Sequence, residues 1–173
     1  KDIIRKYIQY LESAFLIKIV TRTDDTAKRF QRQTTFKIYL TNPSLRCALF
    51  EPVKIIDGNI GDMIETAIYS QWIPRNNHIA YANWKVGRTQ GEVDLVGIND
   101  ALQKPYWAVE IKWTDRFFDR PTELSSLKYF MEKNLLQQAL VTSISQAGLK
   151  ETSFGRLLFI PSACYAYTVG ENT

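Results

Sequence analysis

At 173 residues, with 45% hydrophobic and 13% aromatic content, the chain has the composition of a packed globular domain and not of a disordered segment. No apolar run approaches the roughly 18 residues needed to span a bilayer, and no secretory signal opens the sequence, so a cytoplasmic protein without membrane partners is expected. One histidine and two separated cysteines argue against structural zinc, so any metal must be held by oxygens.

The formal net charge is +4. Residues 1–57 carry 11 Lys/Arg against 6 Asp/Glu, and the remainder 11 against 12, so the basic excess lies in the first third. That excess permits contact with a polyanion, although basic loops are often only solvated. Cys47 and Cys164 sit in apolar contexts and are expected to be buried free thiols.

Residues 2–16 repeat apolar side chains at helical spacing (Ile3, Ile4, Tyr7, Ile8, Leu11, Phe15), which predicts a helix. FLIKIV (15–20) and FKIYL (36–40) read as strands around a polar, basic excursion. Helix, strand, excursion and returning strand make a partial winged-helix-like segment. NPSLRCALF (42–50) predicts a short helix capped by Asn42. EPVKIIDGN then suggests a boundary, dividing the chain into 1–57 and 58–173.

Beyond it, NIGDMIETAIYSQW predicts a helix. Residues 78–86, 91–98 and 105–113 follow as strands joined by turn chemistry, an antiparallel meander. A helix over 119–134 and two further strands, QALVTSI and GRLLFIP, precede a short tail helix or strand. The strand after the 119–134 helix should run parallel to a neighbour through a crossover. The expected class is α/β (α+β), a mixed sheet flanked by helices. The sequence opens directly in a helical pattern, which suggests a fragment of a longer chain.

Two of these strands carry charges among apolar neighbours. Asp94 lies between Val93 and Leu95, and Glu110 between Val109 and Ile111, with Lys112 before Trp113. Strand alternation puts Val93 and Leu95 on one face of 91–98 and Asp94 on the other with Glu92 and Val96. In 105–113 it separates Trp107, Val109, Ile111 and Trp113 from Ala108, Glu110 and Lys112. If the strands are adjacent, Asp94, Glu110 and Lys112 converge. A buried carboxylate costs several kcal/mol and two repel one another. A divalent cation would remove both difficulties, with Lys112 beside it to orient or activate a water. An ordinary salt-bridge network on a solvated face is the alternative.

The spacing of Asp94 from Glu110 and Lys112 on consecutive strands, preceded by a helix containing Glu65, resembles the PD-(D/E)xK nuclease superfamily. That resemblance implies a restriction-endonuclease-like fold and a Mg or Mn site built from Glu65, Asp94, Glu110 and the peptide carbonyl of Ile111, with Lys112 assisting catalysis. YIQYLESAFLIKIV, KIYLTNPSLRCALF, GDMIETAIYSQW, GEVDLVGI and AVEIKW, in that order, resemble an uncharacterised family over nearly the whole chain. It is the domain that follows the AAA+ ATPase core in many bacterial and archaeal proteins. The implied context is an upstream ATPase core; no GxxxxGK[ST] phosphate loop occurs in this sequence.

The implied activity is metal-dependent hydrolysis of DNA phosphodiesters, with Lys18, Arg22, Lys28, Arg29 and Arg32 contacting phosphates. A non-catalytic DNA-binding or regulatory module and a protein-interaction scaffold are the competing classes. Glu92 is a possible substitute acid, and Gln137 or Gln138 could lie near the site. His78 is expected to be structural, and Trp84, Trp107 and Trp113 to pack against helices.

Overall fold

The structure, a computed structural model, describes residues 2–30, 35–54, 58–74, 79–99 and 101–172. Eight strands form one sheet in the order β2-β1-β3-β4-β5-β6-β8-β7. The strands are β1 Ile17–Thr23, β2 Phe36–Leu40, β3 Ile79–Val86, β4 Thr89–Asn99, β5 Lys104–Glu110, β6 Gln138–Ser143, β7 Gly148–Thr152 and β8 Gly155–Pro161. The β3-β4-β5 meander is antiparallel as expected. β6 runs parallel to β5 after a crossover through helices, also as expected.

The helices are α1 Asp2–Ser13, α2 Ser44–Leu49, α3 Ile60–Trp72, α4 Arg116–Asp119, α5 Ser125–Asn134 and α6 Ser162–Glu171. The single helix expected over 119–134 is broken. Arg120, the residue before Pro121, takes a non-helical backbone, and a short 3-10 turn, Pro121–Glu123, separates α4 from α5. β7 was not expected from the sequence; it is an outer strand with no buried residue, so alternation leaves little trace there.

The sheet buries both faces. On one, α5 places Leu127, Phe130 and Met131 against Ala82, Val93, Val96 and Val141. On the other, α3 and α6 place Ile68, Tyr69, Trp72 and Tyr165 against Tyr81, Leu95, Val109 and Ile111. Trp84 stacks with Tyr129 and Phe130, and Trp107 with Trp72, so these two tryptophans pack against helices as expected.

The strand order carries the sheet across the boundary expected at 57, because β1 pairs in parallel with β3. The described part of the excursion after β1 packs on the sheet. Ala27 is fully buried in the α5 core, and Tyr129 and Asn134 of α5 donate hydrogen bonds to Asp25. Val20 and Tyr39 belong to the opposite core. Apolar side chains on both sides of the boundary thus share the same two interiors. Both cysteines are free, but Cys164 is exposed on α6 and Cys47 only half-buried, contrary to the burial their neighbours suggested.

Candidate functional site

β4 does not alternate regularly through Asp94. Ala80 pairs with Val96 but Ala82 with Val93, so Asp94 and Leu95 together face Tyr81 across a β-bulge. In consequence Val93 and Leu95 pack in different cores, and the shared face expected for them is not formed. The expected grouping of Trp107, Val109 and Ile111 does hold.

Beyond the Leu95–Val109 pair the β4–β5 ladder stops. The Asp94 carboxylate takes the place of the next ladder acceptor, receiving the Ile111 N–H at Oδ2 over 2.8 Å. β5 stays with β6 through Glu110 and Val141, after which Lys112 N–H donates to Thr142 Oγ1 at 2.8 Å. The Thr142 hydroxyl returns a bond to the Lys112 carbonyl at 3.0 Å. The fork between β4 and β5 is therefore held open by specific polar contacts, and it is there that the charges meet.

Asp94 and Glu110 are buried, with 8% and 6% of their surfaces exposed. Lys112 Nζ lies 2.8 Å from Glu110 Oε1 and 3.5 Å from Asp94 Oδ2. Glu110 Oε2 is buried and accepts no hydrogen bond from the described residues. Burial, and then the neighbouring Asp94, push the Glu110 carboxyl up to about 8. Burial likewise raises Asp94, against the opposing influence of Lys112, and Glu65 adds to the rise. Burial works against the Lys112 ammonium, but the two carboxylates outweigh it and hold its pKa above the usual lysine value.

Glu65 lies near enough to Asp94 to raise its carboxyl, but its own hydrogen bonds go to an adjoining network. Its Oε1 accepts from Lys37 Nζ at 2.9 Å and from the Tyr39 hydroxyl. Lys37 Nζ also lies 2.6 Å from Glu92 Oε1, and Asn83 donates to Glu92 Oε2 at 2.8 Å. The Tyr39 ring stacks on Tyr69 at 3.9 Å, and the Tyr69 hydroxyl donates to the Asp94 carbonyl. Burial raises both tyrosine hydroxyls, keeping them protonated donors. Among the described residues no three His, Cys, Asp or Glu side chains gather closely enough to hold one metal ion.

Lys37, Tyr39, Tyr69 and Thr142 escaped the sequence reading. The one available signal was the alternation in FKIYL, which puts Lys37 and Tyr39 on the same face of β2.

The two carboxylates fit a divalent cation on one structural ground. Glu110 Oε2 is a hard, buried oxygen with no donor among the described residues, next to a second carboxylate raised by the same burial. Oxygen donors of this kind suit Mg or Mn.

The described basic residues expected at the interface lie on β1 and the excursion after it. Lys18 is exposed on β1, 3.9 Å from Glu12. The Arg22 guanidinium lies over the Phe30 ring, 4.4 Å from its centroid. Lys28 and Arg29 are exposed on the excursion, which returns to β1 through a Thr23–Arg29 bridge. Arg32 and His78 lie outside the described residues. Gln138 starts β6, far enough along the strand from Val141, the partner of Glu110, to lie away from the fork, and Gln137 precedes it. No described helix is long and apolar enough to cross a membrane.

Residues 1–54 match the model of a domain of unknown function, DUF8612. No curated protein and no solved structure matches the chain.

Proposed function

We propose that the chain is a metal-dependent DNA phosphodiester hydrolase of the PD-(D/E)xK kind, with a restriction-endonuclease-like arrangement around the β4–β5 fork. The observation that supports this most is the buried pairing of Asp94 with Glu110, whose Oε2 has no donor among the described residues, beside Lys112. Asp94, Glu110 and the Ile111 carbonyl would hold Mg or Mn, with Glu65 as a further acid. The ion would supply Lewis acidity and charge neutralisation at a phosphate. Lys112 is held by Thr142 through its backbone, which leaves its ammonium aimed at both carboxylates and able to orient an attacking water. Asp94 is in turn fixed by the Ile111 N–H.

Lys18, Arg22, Lys28, Arg29 and Arg32 would contact DNA phosphates, giving salt-sensitive and sequence-tolerant binding. An upstream AAA+ ATPase core and a cytoplasmic setting complete the reading, on the resemblance in motif order. DNA cleavage should require Mg²⁺ or Mn²⁺ and should fall about 100-fold or more in Asp94→Ala and in Lys112→Ala. Equal cleavage by the wild type and both variants would refute it.

A second reading, a non-catalytic DNA-binding or regulatory module, is favoured by the internal pairing of the charges. Lys112 already bonds to Glu110, and Lys37 to Glu65 and Glu92. Retained DNA affinity with no heat of metal binding would select this version.

A further inference from the structure

A cavity of about 500 Å³ opens on the α6 face of the sheet, and a single row of aliphatic side chains makes its floor. Val109 of β5 pairs with Leu140 of β6, Leu140 with Leu158 of β8, and Leu158 with Leu149 of β7. Paired residues on neighbouring strands share a face, so the four form one apolar stripe across the sheet. Trp107 of β5, with Trp72 stacked on it, lines the β5 end, and Tyr165 and Val169 bring α6 to the same space. Val109 is buried, but Leu158 is 42% exposed although β8 is an interior strand, and Leu149 is 57% exposed. A single exposed leucine means little; two that continue a buried stripe into a concave site are informative.

Beside this stripe runs a polar row. Gln138 of β6 pairs with Arg156 of β8, two residues before Leu140 and Leu158, and both line the cavity. Arg156 is exposed at the mouth. Glu151 of β7 stands opposite it in the ladder, yet among the described residues the guanidinium makes no ion pair. The cavity thus joins an apolar floor to one fixed positive group. From Val109 to Leu158 is two strand spacings, about 10 Å, the reach of a medium-length alkyl chain or two fused rings. Its volume also falls within the range of small-molecule sites, roughly 300–1,000 Å³.

We propose that this cavity binds a small amphipathic monoanion, an alkyl or fused-ring body ending in a carboxylate. The body lies on the row from Val109 to Leu158, and the carboxylate meets the Arg156 guanidinium. Covering the leucines releases water from them, and the guanidinium selects an anion over a cation of the same shape. Asp94, Glu110 and Lys112 are not among the lining residues, so the inference stands apart from the metal reading of the fork.

Calorimetric titration of the intact chain with decanoate, kept below its micelle concentration, provides the test. Decanoate should bind one to one and change the tryptophan emission, because Trp72 and Trp107 line the cavity. Decyltrimethylammonium, which has the same tail and the opposite charge, should bind about tenfold more weakly or worse. Arg156→Gln should weaken decanoate about tenfold and bring the two affinities together, as the loss of one charge-assisted hydrogen bond requires. Leu158→Trp should abolish decanoate binding by filling the floor while leaving Arg156 in place. Leu149→Trp, on the outer strand, serves the same purpose if Leu158→Trp does not fold. No binding of decanoate, equal binding of the cation, or full decanoate affinity in Arg156→Gln or in the folded tryptophan variant overturns the proposal.

Discussion

Glu110 carries a large electrostatic consequence in the fork. Its carboxyl ordinarily titrates at 4.5 and in the folded chain at about 8. Between those values the folded protein keeps a proton that the unfolded chain has released, so stability falls as pH rises through the window. Asp94 is shifted in the same direction and adds to the slope. The raised lysines act only above 10.5 and leave this window untouched. Urea unfolding in metal-free buffer should therefore give lower stability at pH 8 than at pH 5, by on the order of 1–4 kcal/mol. Glu110→Gln should flatten that dependence. An undiminished slope in the variant would show that another buried acid is responsible.

At the scale of elements, β4 holds most of what is unusual. Its bulge at Asp94 and Leu95 changes which core each neighbour enters, and its Gly97 lets the sheet carry a tryptophan closely. A Cβ at Gly97 would overlap the Trp107 indole, which stacks on Trp72 of α3 at 5.1 Å. Gly97→Ala should cost about 1–3 kcal/mol in chemical denaturation and shift the tryptophan emission, because the indole must leave α3 to relieve the overlap. Unchanged stability and emission would mean that Trp107 finds another rotamer without loss. The strands were largely legible from periodicity, as FKIYL shows, where expected and observed bounds coincide. The bulge was not legible, since GEVDLV alternates well enough to pass for a regular strand. Its irregularity arises from pairing with β3, a contact that local pattern does not encode.

For the molecule as a whole, the sheet joins the N-terminal hairpin to the rest through β1 and β3, with shared cores on both faces. Val20 of β1 and Val141 of β6 lie in different cores but in one sheet. Val20→Ala and Val141→Ala should each lower a single calorimetric transition, by about 1–3 kcal/mol in stability. Two resolved transitions, with Val20→Ala moving only one, would restore a separate N-terminal unit.

By itself the sequence determined that this chain has a mixed α/β architecture and that Asp94 and Glu110 sit on adjacent strands, with Lys112 just past the end of the second. Both follow from short-range rules: apolar periodicity marks the elements, and turn chemistry makes neighbours of consecutive strands. Only the tertiary structure decided that Glu65 is taken up by Lys37 and Tyr39 and that Glu110 Oε2 has no donor among the described residues. The partners of Glu65 lie 26 and 28 residues away on β2, and strand order across the sheet, which no local spacing specifies, is what brings them together.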